Sequence, residues 1–129
     1  MESRKKILQM LERFDLTKHW SLIYTIEAQN DLDNLDNSQR KQVQSVIDRF
    51  IQNPLPKSEG GYGNPLHGEL AGYFKIRLID AGIRILYTLK RRKNKMIVVL
   101  IGMRRDDEVY EIALERLHKF RERRLRRRK

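Results

Sequence analysis

Between residues 66 and 110, basic side chains recur at the points where an extended chain turns. Lys75 and Arg77 are two apart, so in a strand they share a face, while Phe74, Ile76 and Leu78 point the other way. Burying two unpaired cations is costly, so their face is expected to meet solvent or an anion. Two further extended runs bring up Arg84 and Arg104, and Tyr110 follows one turn into a helix. Four cations and a phenol converging on one sheet face suggest a site for a polyanion.

Three strands in succession must position these groups: Tyr73–Ile79, Ile83–Leu89 and Met96–Met103. Asp80-Ala81-Gly82 makes the first turn tight, and residues 90–95 form a basic second loop. Phe74, Ile76, Leu78, Ile85, Tyr87, Val98 and Leu100 are the expected sheet core. Residues 96–101 are apolar at every position, as in a central strand covered on both sides. Upstream, Trp20–Tyr24 alternates as a short strand, and Ala28, Leu32 and Leu35 suggest a short helix. Asn37 or Ser38 is placed to cap a longer helix that buries Val43, Val46, Ile47, Phe50 and Ile51 and stops at Asn53-Pro54. All three prolines and five of the seven glycines fall in 54–72, a loop. Asp106-Asp107-Glu108 suits the start of a last helix burying Val109, Ile112, Ala113, Leu117 and Phe120. Residues 3–14 carry Ile7, Met10, Leu11 and Phe14 at the spacing of one helix face.

The expected architecture is α+β: a four-stranded, mainly antiparallel, twisted sheet with a helical pair on one face and a C-terminal helix. Residues 1–19 form an N-terminal helical extension, 20–118 the domain, and 119–129 a basic tail. The 129 residues suffice for one hydrophobic core, and 40% hydrophobic with 35% charged residues describes a globular chain. The net charge is +11; residues 119–129 hold eight Lys/Arg against Glu122 and so supply +7 of it. Such a tail attracts nucleic acid or anionic membranes without identifying a function. Without cysteine, disulfides, zinc–thiolate sites and thiol nucleophiles are excluded. Three scattered histidines give no metal signal, and no cofactor is expected. Met1–His19 is too charged for a signal peptide, and no apolar run approaches the ~18 residues of a membrane span, so a cytoplasmic location without membrane contact is expected.

From Trp20 to Leu117 the chain resembles the RelE/ParE superfamily of bacterial toxins from toxin–antitoxin pairs, most closely its RelE-like messenger RNA-cleaving branch. The resemblance rests on the element order and on four motifs in sequence. These are Leu66-x-Gly68, Tyr73-Phe74-Lys75-Ile76-Arg77, Gly82-Ile83-Arg84-Ile85-Leu86-Tyr87, and Gly102-Met103-Arg104 leading to Val109-Tyr110. It implies a metal-independent endoribonuclease that acts on messenger RNA in the ribosome, with a cognate antitoxin as its other partner. It also implies attack by the 2′-hydroxyl on the adjacent phosphate, giving a cyclic phosphate and a free 5′-hydroxyl. Lys75 and Arg77 match the branch's paired basic positions, Arg84 its phosphate-clamping arginine, Arg104 another cation, and Tyr110 a tyrosine that stacks on or orients a nucleotide. Lys75 is the preferred proton acceptor, with Arg77 and Arg84 as neighbouring charges that favour its neutral form; His67 is second. Arg77 cannot be the base, because a guanidinium stays charged. Lys90, Arg91, Arg92, Lys93 and Arg105 are expected to meet RNA or the ribosome. The chain departs from the family in its N-terminal extension, its basic tail, and Asp106, which stands where a basic residue can occur.

Two other functions remain open at this level. One is a ParE-like DNA gyrase inhibitor with no nuclease chemistry, which has no need of Lys75, Arg77, Arg84, Arg104 and Tyr110 together. The other is a non-catalytic basic nucleic-acid-binding protein. Taken alone, Lys75 and Arg77 also fit the solvated face of a sheet, and Arg84 and Arg104 fit ion pairs with Asp80, Asp106 or Asp107. The narrow apolar stripe of the last helix, followed by mutually repelling arginines, further suggests a segment that an antitoxin can displace.

Overall fold

Three consecutive antiparallel strands form the centre of the fold: β3 (Tyr73–Leu78), β4 (Ile83–Lys90) and β5 (Lys95–Gly102). The computed structural model describes residue 4, residues 19–103 and residues 105–127, with side chains of the last helix through residue 122. Apart from residue 4, the segment expected to be helical over residues 3–14 therefore lies outside the described residues, as does Arg104. The β3–β4 turn closes through a 3.2 Å hydrogen bond from Gly82 N to Ile79 O. Gly82 has φ +67°, a left-handed geometry that a side chain would strain.

Two more strands complete a five-stranded sheet of order β1-β5-β4-β3-β2. β1 (Ser21–Tyr24) runs parallel to β5, and β2 (Asn64–Pro65) pairs antiparallel with the outer edge of β3. The expected four strands thus become five. The additional one is two residues long and ends in proline, too short for any alternation to show in sequence, and an edge tolerates the missing donor. β5 lies between β1 and β4, a central strand as expected; its Met96, Val98, Leu100 and Ile101 are buried, while Ile97 and Val99 are half-buried.

Helices α1 (Ile26–Asp33) and α2 (Asn37–Phe50) pack on one face of the sheet. Thr25 Oγ1 accepts from Ala28 N (3.1 Å) at the start of α1. The cap of α2 is Asp36, one residue before Asn37 and two before Ser38, the expected caps. Its carboxylate accepts from Gln39 N at 2.7 Å while Gln39 Oε1 accepts from Asp36 N at 3.0 Å, a reciprocal pair worth about 1 kcal/mol. Ala28, Leu32, Val43 and Ile47 meet Phe74, Ile76, Ile83, Ile85, Tyr87, Met96, Val98 and Ile101 in the larger core. Tyr87 stacks on Phe74 with centroids 5.0 Å apart, and its buried hydroxyl donates to Pro54 O at 2.9 Å. Gly63 lies so close that a Cβ there would come within 2.8 Å of the Tyr87 hydroxyl.

The opposite face carries α3 (Asp106–Arg127) over a smaller core of Leu70, Leu86, Leu100, Val109 and Ala113. A β-bulge explains why Leu100 belongs here and not with Val98. Leu86 pairs with Leu100 but Tyr87 pairs with Val98, so Val99 is the extra residue and the alternation of β5 inverts. Simple alternation puts Val98 and Leu100 on one face; the bulge separates them into two cores. Phe120 also departs from the expected stripe. It is 55% exposed at the rim of a groove of about 460 Å³ between α3 and the β1-β5-β4 surface.

Candidate functional site

Three of the four cations expected on one sheet face, Lys75, Arg77 and Arg84, come together at the start of α3. Tyr73, Lys75 and Arg77 share the α3 side of β3, and the register sets Arg77 opposite Arg84 and Lys75 opposite Leu86. Lys75 and Arg84 are half-buried and Arg77 is exposed. The chain leaves β5 at Gly102 and re-enters over this face as α3, which places Asp106 and Tyr110 one turn apart above the cations. Lys75 Nζ donates to Tyr110 Oη at 2.9 Å and lies 5.6 Å from the centre of its ring.

Asp106 is the anion this face meets. Arg84 Nε donates to its Oδ1, Arg77 donates to its Oδ2, and Lys75 Nζ lies 3.6 Å from Oδ2. Arg84 also donates to Gly82 O at 3.3 Å, which fixes its guanidinium to the β3–β4 turn. Burial alone would raise the Asp106 carboxyl, but the Arg84 hydrogen bond and the Lys75 and Arg77 charges hold it below its ordinary value. Three cations around one carboxylate leave a local excess of two positive charges. Such a site can bind and polarise a phosphate.

The remaining expected residues are dispersed. His67 is exposed, beyond the end of β3 where Leu66 N donates to Tyr73 O. Among the described residues no hydrogen bond or ion pair joins it to the cation cluster. Lys90 ends β4, and Arg91, Arg92 and Lys93 form an exposed 3₁₀ turn. Arg91 makes two hydrogen bonds to Glu59, at 2.7 and 2.6 Å, and these hold the Glu59 carboxyl below its usual range. Arg105 is exposed, 3.9 Å from Asp107 and from Glu108, a separation at which solvent screens most of the attraction. Arg104 lies outside the described residues. Among the described residues no group of three or more His, Asp or Glu could hold a metal ion. No described helix is long and apolar enough to cross a membrane.

One pair that positions the site escaped the sequence reading. Arg116 donates to both Asp31 oxygens, at 2.7 and 3.0 Å, and to Val99 O at 2.9 Å, while Ile101 N donates to Asp31 at 3.0 Å. β1 stops pairing at Val98, so the bulged end of β5 has no strand partner on that side. Side chains from α1 and α3 satisfy its backbone groups instead. The signal in sequence was Arg116 itself, seven residues after Val109 and three after Ala113, a cation on the buried stripe of a helix.

No family model matches the sequence, and no curated protein does. Solved structures match by fold. The isolated E. coli RelE toxin aligns with TM-score 0.58 and 23% identity, covering 78% of this chain and 99% of its own. The intact E. coli RelBE toxin–antitoxin complex gives TM-score 0.58 and 20% identity, with 68% of this chain and 99% of that one covered. A YoeB/ParE toxin from Agrobacterium tumefaciens gives 0.54 and 21%, with 66% and 99% covered. The chain has the fold of the RelE/ParE toxins, the superfamily its motifs resemble.

Proposed function

We propose that this chain is the toxin of a toxin–antitoxin pair and a ribosome-dependent endoribonuclease. The supporting observation is the convergence of Lys75, Arg77 and Arg84 on one anion-sized position at the start of α3, with Tyr110 held against Lys75. Arg84, tied to the turn backbone, clamps the scissile phosphate, and Arg77 adds charge where the phosphorane develops. Lys75, acting as the free amine, accepts the 2′ proton as the 2′ oxygen bonds to phosphorus. The bond to the 5′ oxygen breaks, and that oxygen takes a proton from solvent. Tyr110, held against Lys75, orients the nucleotide. A cognate antitoxin silences the protein by covering this cationic face with acids. Displacement of α3 by such a partner would have to break the Arg116–Asp31 pair.

Induction of the protein alone in bacteria tests the reading. Growth should stop through arrested translation, with cuts inside coding regions mapped by primer extension and only in the presence of ribosomes. DNA breaks with intact messages would instead assign the chain to the gyrase-inhibiting class.

A further inference from the structure

The carboxylate at the centre of the cations is part of the chain, and its position is the one a substrate anion needs. A phosphodiester offers two non-bridging oxygens, and Asp106 offers two carboxylate oxygens, each addressed by a different arginine. Nothing else among the described residues neutralises Lys75, Arg77 and Arg84. We propose that Asp106 is a built-in competitor for the phosphodiester, holding the anion position until RNA displaces it. The inference rests on the reading that this face takes a phosphodiester, and it does not depend on the ribosome or on cleavage.

The local structure permits the exchange. The Asp106 side chain is 30% exposed, so it can turn outward without crossing a packed core. It stands in the first turn of α3, where the helix dipole favours a carboxylate even after its arginines are taken. The sheet fixes the cations independently of Asp106, since Arg77 and Arg84 sit in register on paired strands and Arg84 also holds Gly82 O. The resting state therefore keeps the cations in place while screening them. RNA binding exchanges one anion for another, so its net gain is smaller than the cluster alone would give. A weakly basic surface ligand does not displace the carboxylate; a phosphodiester that also stacks on Tyr110 does.

The experiment uses the full chain and a short 2′-O-methyl RNA that cannot be cut, with affinity read by fluorescence anisotropy across a salt series. Asp106→Asn should bind about tenfold more tightly, the size of one charge-assisted hydrogen bond no longer given up. Its dependence on salt should steepen by up to about one unit, because one more cation is open to phosphate. Arg84→Ala should cost more affinity in the Asp106→Asn background than in the native one, and Asp106→Glu should stay near native. Thermal unfolding of each variant confirms that it is folded. Unchanged or weaker binding by Asp106→Asn would overturn the competitor, as would equal costs of Arg84→Ala in both backgrounds. Cleavage lost in Asp106→Asn with RNA affinity unchanged would overturn it in favour of a direct chemical role. Tighter binding together with intact messages in the ribosome assay would keep the competitor and remove the nuclease reading, so the two can fail separately.

Discussion

Asp31, where α1 meets the unpaired end of β5, and Asp106, at the start of α3, both accept from arginines, yet their surroundings assign them opposite tasks. Asp31 faces one cation, Arg116, and the pair also satisfies Val99 O and Ile101 N. Both Asp31 oxygens, Val99 O and Ile101 N have partners there, and the pair joins α1, β5 and α3. Asp106 faces three cations and leaves two unit charges uncompensated. A balanced network fixes geometry, whereas an unbalanced one retains the capacity to bind another anion. The comparison separates scaffold from site without any bound ligand.

Removing one arginine from each network tests the contrast most severely. In the unbalanced cluster, Arg84→Ala should reduce ribosome-dependent cleavage by about 10²–10³-fold while lowering ribosome binding far less, because a phosphate clamp acts most in the transition state. Deleting residues 121–129, which carry seven cations and one acid, should do the reverse. Binding would weaken and lose salt dependence while single-turnover cleavage survives. Equal loss of binding and cleavage in both variants would show that the cluster holds no distinct chemical role.

In the balanced network, Arg116→Ala should act on stability. It leaves Asp31 without its cation and Val99 O without a side-chain donor, at a cost of about 2 kcal/mol for a pair this partly buried. Urea unfolding would read the loss as a lower midpoint with the slope unchanged. Amide exchange should rise along α3 and at Ile101 first. A midpoint within error of the native protein would mean that apolar contacts alone hold α3.

These two networks also mark how far the sequence could be read. Lys75, Arg77 and Arg84 were legible because strand periodicity and a tight turn bring them onto one face, and the elements around them came out within a residue or two. The bulge at Val99 was not legible. An apolar run has no polar residue to report which face each side chain takes, so Leu100 was placed in the wrong core. The two-residue β2 was too short to show a period. The Arg116–Asp31 pair joins positions 85 apart in sequence, and only the tertiary fold makes them neighbours. Asp106 was visible as a departure from the family pattern. Its position at the centre of the cluster required the path of the chain from β5 into α3.

The smallest expected effect concerns acid. Cations hold the Asp106 carboxyl below its ordinary pKa of about 4. As pH falls through that ordinary value, the unfolded chain takes up the proton first, so the ion pairs' contribution to stability begins to fade there. It is gone once pH has passed below the depressed folded-state value. With the side chain partly exposed and solvent screening the charges, the effect should be a few tenths of a kcal/mol to about 1 kcal/mol. Stability measured by urea unfolding between neutral pH and about pH 3 should therefore drop slightly less for Asp106→Asn than for the native chain. Parallel acid profiles for the two would mean that the three cations gain nothing in the folded state from their carboxylate. That result would place Asp106 beside the cluster and leave Asp31, of these two carboxylates, as the one whose pairing the fold uses.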